Sequence, residues 1–186
     1  MLRADHIDAA KLEEAAFDTP LGQGAGVIFG ASGGVMEQAL RSAVYLLTGK
    51  NPEEETFHPI RTVTPDGIAE NTYTVNGKTI RTAVASGLGN ARAICEQVAA
   101  GTAPYDFIEI MACPGGCVGG GGQPIHDGEE LAPERRDTLY RIEKSNSYLY
   151  AHENPAVAAY YADQPGEEAH AEIHRLLHTD QSKWDI

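Results

Sequence analysis

The sequence predicts an α/β fold in which helices flank a mixed sheet. Residues 69–75 and 79–85 alternate in character on either side of an Asn-Gly dipeptide, which is typical of a two-residue hairpin turn. Residues 90–100 then have the pattern of a helix, and residues 105–111 form an apolar strand. Strand, helix and strand in this order predict a mixed sheet with helices packed on it.

The chain before the hairpin is predicted to contain two helical segments. Residues 1–17 are helix-prone, and residues 18–26 form a loop that leads into a short strand or extended segment at 27–29. A glycine-rich stretch, 30–34, then opens the second helix. The apolar positions near helical spacing and the glycine expected to end this helix are Met36, Leu40, Val44, Leu47 and Gly49.

The remaining segments are predicted from composition and helical pattern. Residues 51–60 hold two prolines and three consecutive glutamates, so we expect a surface loop. Residues 133–144, 155–162 and 167–178 are expected to be helices that wrap the sheet. A chain of 186 residues, of which 42% are hydrophobic, is sufficient for a single domain, 1–186.

Charge and composition exclude several classes of partner. The net charge of -13 opposes binding to nucleic acid or to an anionic membrane. No apolar run approaches the roughly 20 residues that cross a bilayer, and residues 1–5 do not begin a signal-peptide pattern. The three cysteines form no disulfide framework, which suits a reducing compartment, so we expect a cytoplasmic protein.

Two cysteines stand four positions apart in a glycine-rich segment, 109–124, which begins within the strand at 105–111. Between Cys113 and Cys117 the sequence Pro-Gly-Gly lets the chain turn so that both sulfur atoms can face one point. Thiolates are ligands for zinc, copper(I) or iron-sulfur clusters. A four-iron cubane takes four cysteines, whereas this chain has three, the third being Cys95.

The cysteine pair alone leaves several interpretations open: a metal or iron-sulfur site, a redox disulfide, or unpaired thiols. Zinc sites more often place two residues between their cysteines, and here there are three. Cys95 lies in the predicted helix 90–100, where it is most simply a small buried hydrophobic residue.

Other polar residues have both a structural and a functional interpretation. Glu109, in an apolar strand, is expected to face solvent or to pair locally. The helix N-terminus at 30–34 would attract an anion, although glycines for tight packing are as probable an explanation. His126 and His152 would relay protons or satisfy local hydrogen bonds. Three histidines at every fourth position match metal-ligand spacing, although a polar helix face is favoured: His170, His174 and His178.

The cysteine segment also carries a resemblance to a known family. The sequence Met-Ala-Cys-Pro-Gly-Gly-Cys-Val-Gly-Gly-Gly-Gly-Gln-Pro, 111–124, closely resembles the third cysteine signature of the iron-only (diiron) hydrogenases. The glycine-rich segments at 18–22 and 24–41 resemble the part of those enzymes that precedes this signature, and 152–155 with 176–179 is similar to their small-subunit-type tail. The resemblance covers nearly the whole chain.

The resemblance implies an H-cluster, in which a 4Fe-4S cubane is joined to a diiron unit with carbonyl and cyanide ligands. This cofactor interconverts protons, electrons and dihydrogen. By motif position, Cys113 would be a metal ligand of the cubane, and Cys117 would ligate the cubane and bridge to the diiron unit. Met111 and Phe29 match positions that line the diiron pocket. Cys117 and Met111 are therefore the predicted catalytic residues.

The resemblance further implies a partial site, because the other cysteine signatures of the family have no counterpart here. We expect residues 18–130 to be one lobe of the two-lobed catalytic domain and residues 131–186 to be a helical, small-subunit-like tail. The expected partners are an N-terminal lobe or subunit carrying the missing motifs, and a ferredoxin-like or NAD(P)-linked electron carrier. An apolar surface is expected near the cysteine loop. The alternatives are a non-catalytic iron-sulfur protein of sensing or cluster assembly, and an inert remnant.

Overall fold

The computed structural model describes residues 4–15, 24–162 and 166–177. Its centre is a three-stranded sheet in the order β1-β2-β3. Strands β1 (Ile68–Val75) and β2 (Lys78–Ser86) are antiparallel, and β3 (Phe107–Met111) pairs with β2 in parallel. The predicted class, a mixed sheet with flanking helices, is confirmed.

The β1–β2 hairpin forms where the sequence predicts it. Asn76 and Gly77 both have positive φ angles, 49° and 75°, which suit a two-residue turn that follows the twist of the strands. Val75 pairs with Lys78 across this turn. The register of the whole hairpin therefore follows from a local signal.

Each face of the sheet is covered by a different layer. Val84 on one face packs with apolar side chains of helix α1 (Gly34–Thr48) and of the segment that follows it. Ala83 and Ala85 on the opposite face pack against Ile94 of helix α2 (Leu88–Ala99). The alternation of side chains along β2 thus places it between two apolar clusters.

Helix α1 ends as predicted, although its buried side is more polar than the apolar pattern suggests. Gly49 has a φ of 70°, and its N–H donates to Tyr45 O, which closes the last turn. Leu47 is 51% exposed, whereas Glu37 and Arg41 are almost fully buried. Leu47, although it shares the helical spacing of Met36 and Leu40, therefore does not lie on the buried face.

The buried charges of α1 belong to a network with two other segments. Glu37 accepts hydrogen bonds from Arg41 and from Arg61 of the 3₁₀ helix Glu54–Thr62. Arg41 also donates to Glu143 of helix α3 (Ala132–Ser145) over 2.6 Å. Opposite charges held this closely compensate much of their own desolvation. The network joins α1 to both neighbouring segments.

The prediction of a surface loop over residues 51–60 is wrong. The chain forms the 3₁₀ helix Glu54–Thr62, in which Phe57 is 1% exposed and Ile60 is fully buried. These side chains are three positions apart, so they lie on one face of a 3₁₀ helix. The glutamates at 53–55 remain exposed. A charged surface and an apolar contact thus share one short segment.

The segment 27–29 is not a strand, because the chain there forms the 3₁₀ helix Ala25–Gly30. The N–H of Ala31 donates to Ile28 O, and this turn places Ile28 in a buried cluster with Tyr140 of α3. The helix expected over 1–17 is also not found in the described part of that stretch. Residues 4–15 contain one 3₁₀ turn, Ala9–Lys11, and the residues on either side of it are exposed.

The helices after the cysteine loop do not wrap the sheet as predicted. Helix α3 packs mainly on the 3₁₀ helices Ala25–Gly30 and Cys117–Gly119. Helix α4 (Pro155–Ala162) has no buried residue, and helix α5 (Glu167–Leu177) follows it. Within the described ranges, no helix combines the length and the apolar character that crossing a membrane requires.

Candidate functional site at the cysteine turn

The cysteine turn follows β3 directly and presents both thiols at the surface. Cys113 and Cys117 are exposed, whereas Gly115 and Gly116 between them are buried. The two glycines have φ angles of 79° and 94°, and Gly116 N–H donates to Cys113 O over 2.9 Å. The turn therefore has a buried backbone side and an exposed thiol side.

Gly116 is required because the turn lies directly on the backbone of another segment. A Cβ at this position would come within 2.7 Å of both Gly30 O and Ser32 N. This approach is possible only without a side chain, and the positive φ angle independently favours glycine. The contact places the end of the 3₁₀ helix Ala25–Gly30 beside the cysteine turn.

The predicted pocket residues lie next to this contact. Phe29 precedes Gly30 and is 42% exposed. Met111, the last residue of β3, is half-buried and lies in register with Ser86 of β2. The structure thus brings the segments of Phe29, Met111 and the two cysteines to one edge of the molecule, the C-terminal ends of the parallel strands. The role of each of these four residues stays a prediction.

The anion-binding N-terminus of α1 is occupied by a carboxylate of the same chain. Glu109 accepts hydrogen bonds from Gly33 N–H at 2.6 Å and from Met36 N–H at 2.7 Å. Burial raises the pKa of Glu109 above its ordinary value, and the two backbone donors lower it in part. Glu109 is 8% exposed, so the alternative that it faces solvent is wrong. Its observed role is that of a cap for a helix beginning elsewhere in the chain.

Cys95 is not part of this site. It lies on α2 and is exposed, so its prediction as a small buried hydrophobic residue is wrong. The buried positions of α2 are Ala91 and Ile94, and Cys95 falls beyond the edge of that face. Because Cys95 is exposed and lies outside the cysteine turn, it serves as an internal comparison for the two thiols of the turn.

The histidines do not form a second metal site in the described part of the chain. His152 stacks on Tyr45 with ring centroids 4.0 Å apart, and its Nε2 lies 2.9 Å from Asn51 Oδ1, so the local hydrogen-bond interpretation holds. His170 and His174 lie exposed on α5, and His178 lies outside the described residues. Among the described ranges, no group of three or more His, Cys, Asp or Glu side chains is placed to hold a metal ion.

Comparison with known proteins decides the family. Residues 1–121 match the family described as iron only hydrogenase large subunit, C-terminal domain, and residues 129–182 match the iron hydrogenase small subunit. The chain belongs to the iron-only hydrogenase family. The sequence resemblance noted above is therefore confirmed, and it extends over both parts of the chain.

Several relatives show how much of a hydrogenase this chain represents. It is 40% identical over 186 residues to the NADP-reducing hydrogenase subunit HndD of Solidesulfovibrio fructosivorans, covering 98% of this chain and 31% of that protein. It is 45% identical over 140 residues to the periplasmic Fe hydrogenase large subunit of Nitratidesulfovibrio vulgaris, covering 74% and 33%. The chain thus spans about a third of the length of these curated relatives.

A solved structure and a second class of relative complete the comparison. The FeFe-hydrogenase HydA1 of Chlamydomonas reinhardtii matches with a TM-score of 0.63 and 36% identity, covering 96% of this chain and 52% of that one. The mouse cytosolic iron-sulfur assembly component 3 is 33% identical over 154 residues, covering 81% of this chain and 31% of that protein. The relatives of this chain thus include proteins whose names refer to cluster assembly.

The cysteine turn fits part of the iron-sulfur cofactor that the family implies. Cys113 and Cys117 offer two exposed thiol donors, and a Cβ added at Gly121 or Gly122 would meet nothing within 4 Å. A cubane takes four thiolates, so roughly half of its ligands would be supplied by this turn. The thiol donors and the open glycine surface suit an iron-sulfur cluster. Two donors are too few for a cubane, so its other ligands would have to come from outside this turn.

Sequence reasoning missed the residues that hold the turn from inside. Ser86 and Ser32 are buried, and each hydrogen-bonds to the backbone of Gly115 between the two cysteines. The signal that the sequence offers for Ser86 is a polar residue at the end of a mostly apolar stretch of β2. Their partners are remote in sequence, which is why the pattern did not reveal the role.

Proposed function

We propose that this chain is the C-terminal lobe of an iron-only hydrogenase catalytic domain, which takes part in reversible dihydrogen oxidation and proton reduction. One observation carries the proposal: two exposed cysteines lie on a buried glycine turn that is packed on the segment carrying Phe29. The family match supports the hydrogenase interpretation of this turn over a redox disulfide or unpaired thiols.

The proposed roles of the four site residues follow the motif. Cys113 would ligate the 4Fe-4S cubane, and Cys117 would ligate it and bridge to the diiron subcluster. When bound, the H-cluster supplies the centre at which protons, electrons and dihydrogen are interconverted. Phe29 and Met111 would line the diiron pocket and exclude water, which suits a 42% exposed ring and a half-buried thioether at this edge.

The missing ligands are proposed to come from an N-terminal lobe or subunit. The match to about half of a solved hydrogenase supports a second half of similar size. Large apolar side chains exposed next to segments of the cysteine loop support a contact there. Leu88 follows Gly87, whose N–H donates to Met111 O, and Ile125 follows Pro124 of the loop. Their exposed fractions are 68% and 90%, well above those of the core.

Further proposals concern the two parts of the chain, the electron carrier and the location of the protein. Residues 18–130 would form the lobe with the cysteine loop, and 131–186 the small-subunit-like tail. A ferredoxin-like or NAD(P)-linked carrier would exchange electrons with the cubane, and the relative named NADP-reducing hydrogenase subunit supports the second kind. A cytoplasmic location remains the expectation from cysteine usage, although one relative is named periplasmic.

A non-catalytic iron-sulfur protein is the second candidate, because several relatives are named for cytosolic iron-sulfur assembly. Both candidates require the cysteine pair to bind a cluster. They differ in whether a diiron unit is present and in whether dihydrogen is turned over.

The first experiment measures iron and labile sulfide in this chain co-expressed anaerobically with the N-terminal lobe of the Solidesulfovibrio relative and the diiron-cofactor maturation proteins. Cys113→Ser and Cys117→Ser should each lower bound iron strongly and abolish hydrogen evolution, because each removes a thiolate that a cubane requires. Cys95→Ser is the matched control and should retain both. Iron that survives loss of either turn cysteine would contradict the proposed ligand set.

A further inference from the structure

The hydroxyl of Ser86 is a buried junction beneath the cysteine turn. Ser86 ends β2, is fully buried, and lies in parallel register with Met111. Its Oγ donates to Pro65 O over 2.6 Å. The same oxygen accepts from Gly115 N–H at 2.7 Å and from the Ser32 hydroxyl at 3.2 Å. One oxygen thus contacts three segments that are far apart in the chain.

The partner that matters most is Gly115, which lies between the two cysteines. Its N–H points inward between Ser86 Oγ and Pro65 O, the latter at 2.8 Å. Its carbonyl oxygen accepts from Ser32 N–H over 3.1 Å. The polar groups of Gly115 are therefore all bound from the interior, whereas Cys113 and Cys117 on either side are exposed.

This arrangement makes the position of the exposed thiols depend on an interior contact. Each thiol is within two residues of Gly115, and the turn has little side-chain volume of its own with which to pack. Backbone hydrogen bonds are then the main restraint on its orientation. Ser86 is rigidly placed because it is the last residue of a strand paired on both sides.

An ordinary core serine would also be buried and hydrogen-bonded, so the identity of the partners decides the interpretation. A serine whose role is purely local donates its hydroxyl to a backbone carbonyl a few residues away in the chain. The partners of Ser86 lie 21, 29 and 54 positions away, and two of them, Ser32 and Gly115, belong to the segments that meet at the cysteine site.

We propose that Ser86 is a positioning residue for iron-sulfur ligation: its hydroxyl holds Gly115 so that Cys113 and Cys117 face one cluster. This inference rests on the proposed function, because it assigns the thiols to a cluster. Ser86 acts through the turn backbone and touches no part of the cofactor itself.

The test is Ser86→Ala in the full chain, with Thr82→Val as the matched control. Thr82 is a buried hydroxyl on the same strand and the same face, and its partner is Asn71 O, away from the turn. Both variants remove one buried hydroxyl. Only the first removes a contact to Gly115, whose remaining acceptor, Pro65 O, allows the variant to fold.

Two measurements are made on the chain without a cluster. Ser86→Ala should speed hydrogen exchange of the Gly115 amide by about tenfold, since one of its two acceptors is lost. It should also change the alkylation rates of Cys113 and Cys117 relative to Cys95, an exposed thiol away from the turn that serves as the internal reference for alkylation. Thr82→Val should change neither the Gly115 exchange rate nor the relative alkylation rates. Ser86→Thr restores the hydroxyl and should return the Gly115 exchange rate toward that of the unsubstituted chain.

The third measurement is bound iron in the complex with the N-terminal lobe. Ser86→Ala should bind less iron than the unsubstituted chain, and Ser86→Thr should recover it. Equal iron contents, or unchanged Gly115 exchange in Ser86→Ala, would overturn the inference. If the unsubstituted chain binds no iron together with the N-terminal lobe, the proposed function itself fails. If the unsubstituted chain binds iron and Ser86→Ala binds the same amount, only the role of Ser86 fails.

Discussion

The carboxylate of Glu109 accepts a hydrogen bond from the N–H of Met36 over 2.7 Å, which ties β3 to the first turn of α1. Its other oxygen accepts from Gly33 N–H. The exposed end of β3, where Met111 precedes the cysteine turn, is thereby fixed relative to the helix that packs on the sheet. A carboxylate at a helix N-terminus also interacts favourably with the helix dipole.

Glu109→Gln should therefore destabilise the protein by about 1–2 kcal/mol, because an amide has one acceptor oxygen for two N–H donors. Urea unfolding monitored by circular dichroism measures this difference. Glu96→Gln on the exposed surface of α2 is the control and should change stability little. Equal effects of the two substitutions would contradict the capping role.

Ile60→Ala should cost about 2–5 kcal/mol of unfolding free energy, because the side chain is fully buried against α1 and the sheet. The same truncation at Leu46, which is 79% exposed, should cost far less. Thermal and urea unfolding of both variants distinguish a core segment over 54–62 from the surface loop that its glutamates suggest. Similar small losses at both positions would favour the loop.

Gly116→Ala should disrupt the cysteine turn, whereas Gly121→Ala in the same loop should be tolerated. The added Cβ at Gly116 would meet backbone at 2.7 Å in a left-handed conformation, and the one at Gly121 would meet nothing within 4 Å. We expect Gly116→Ala to lower the melting temperature and to change alkylation of Cys113 and Cys117. A Gly116→Ala protein with unchanged stability and thiol reactivity would show that the turn does not pack as described.

His58 should make stability fall when the pH is lowered below 6.5. Burial, followed by the charge of Arg61, lowers the pKa of His58 from its ordinary value of 6.5. The unfolded chain therefore binds a proton more readily than the folded one, and folding is penalised between pH 6.5 and the lower folded pKa. The free energy of unfolding of His58→Gln should vary less over that window, as urea titrations at several pH values will measure. An unchanged pH dependence would exclude His58 as its cause.

Local signals explain which parts of the fold could be predicted. The Asn-Gly turn at 76–77 and the stop at Gly49 act on neighbouring residues only, and both appear as expected. The segment containing Phe57 differs from the prediction because its glutamates and Pro59 are typical of loops, while its buried face consists of two side chains in a 3₁₀ helix. Cys95 differs from the prediction because it lies one residue beyond a narrow apolar face.

The cysteine turn itself is a local feature, but the residues that support it are not. Cys113 and Cys117 were identified by their spacing and by the motif around them. The side chains of Ser86 and Glu109 bond to groups that are 21 to 76 positions away along the chain. Their roles depend on which segments the tertiary fold brings to the ends of β2 and β3, and no periodicity in the sequence encodes that.

The most direct test of the central claim is the infrared spectrum of the chain matured anaerobically with the N-terminal lobe of the Solidesulfovibrio relative. The proposed hydrogenase function predicts carbonyl and cyanide absorption bands from a diiron centre, lost in Cys117→Ser and retained in Cys95→Ser. Bound iron and labile sulfide without those bands would contradict it and would favour a non-catalytic iron-sulfur protein.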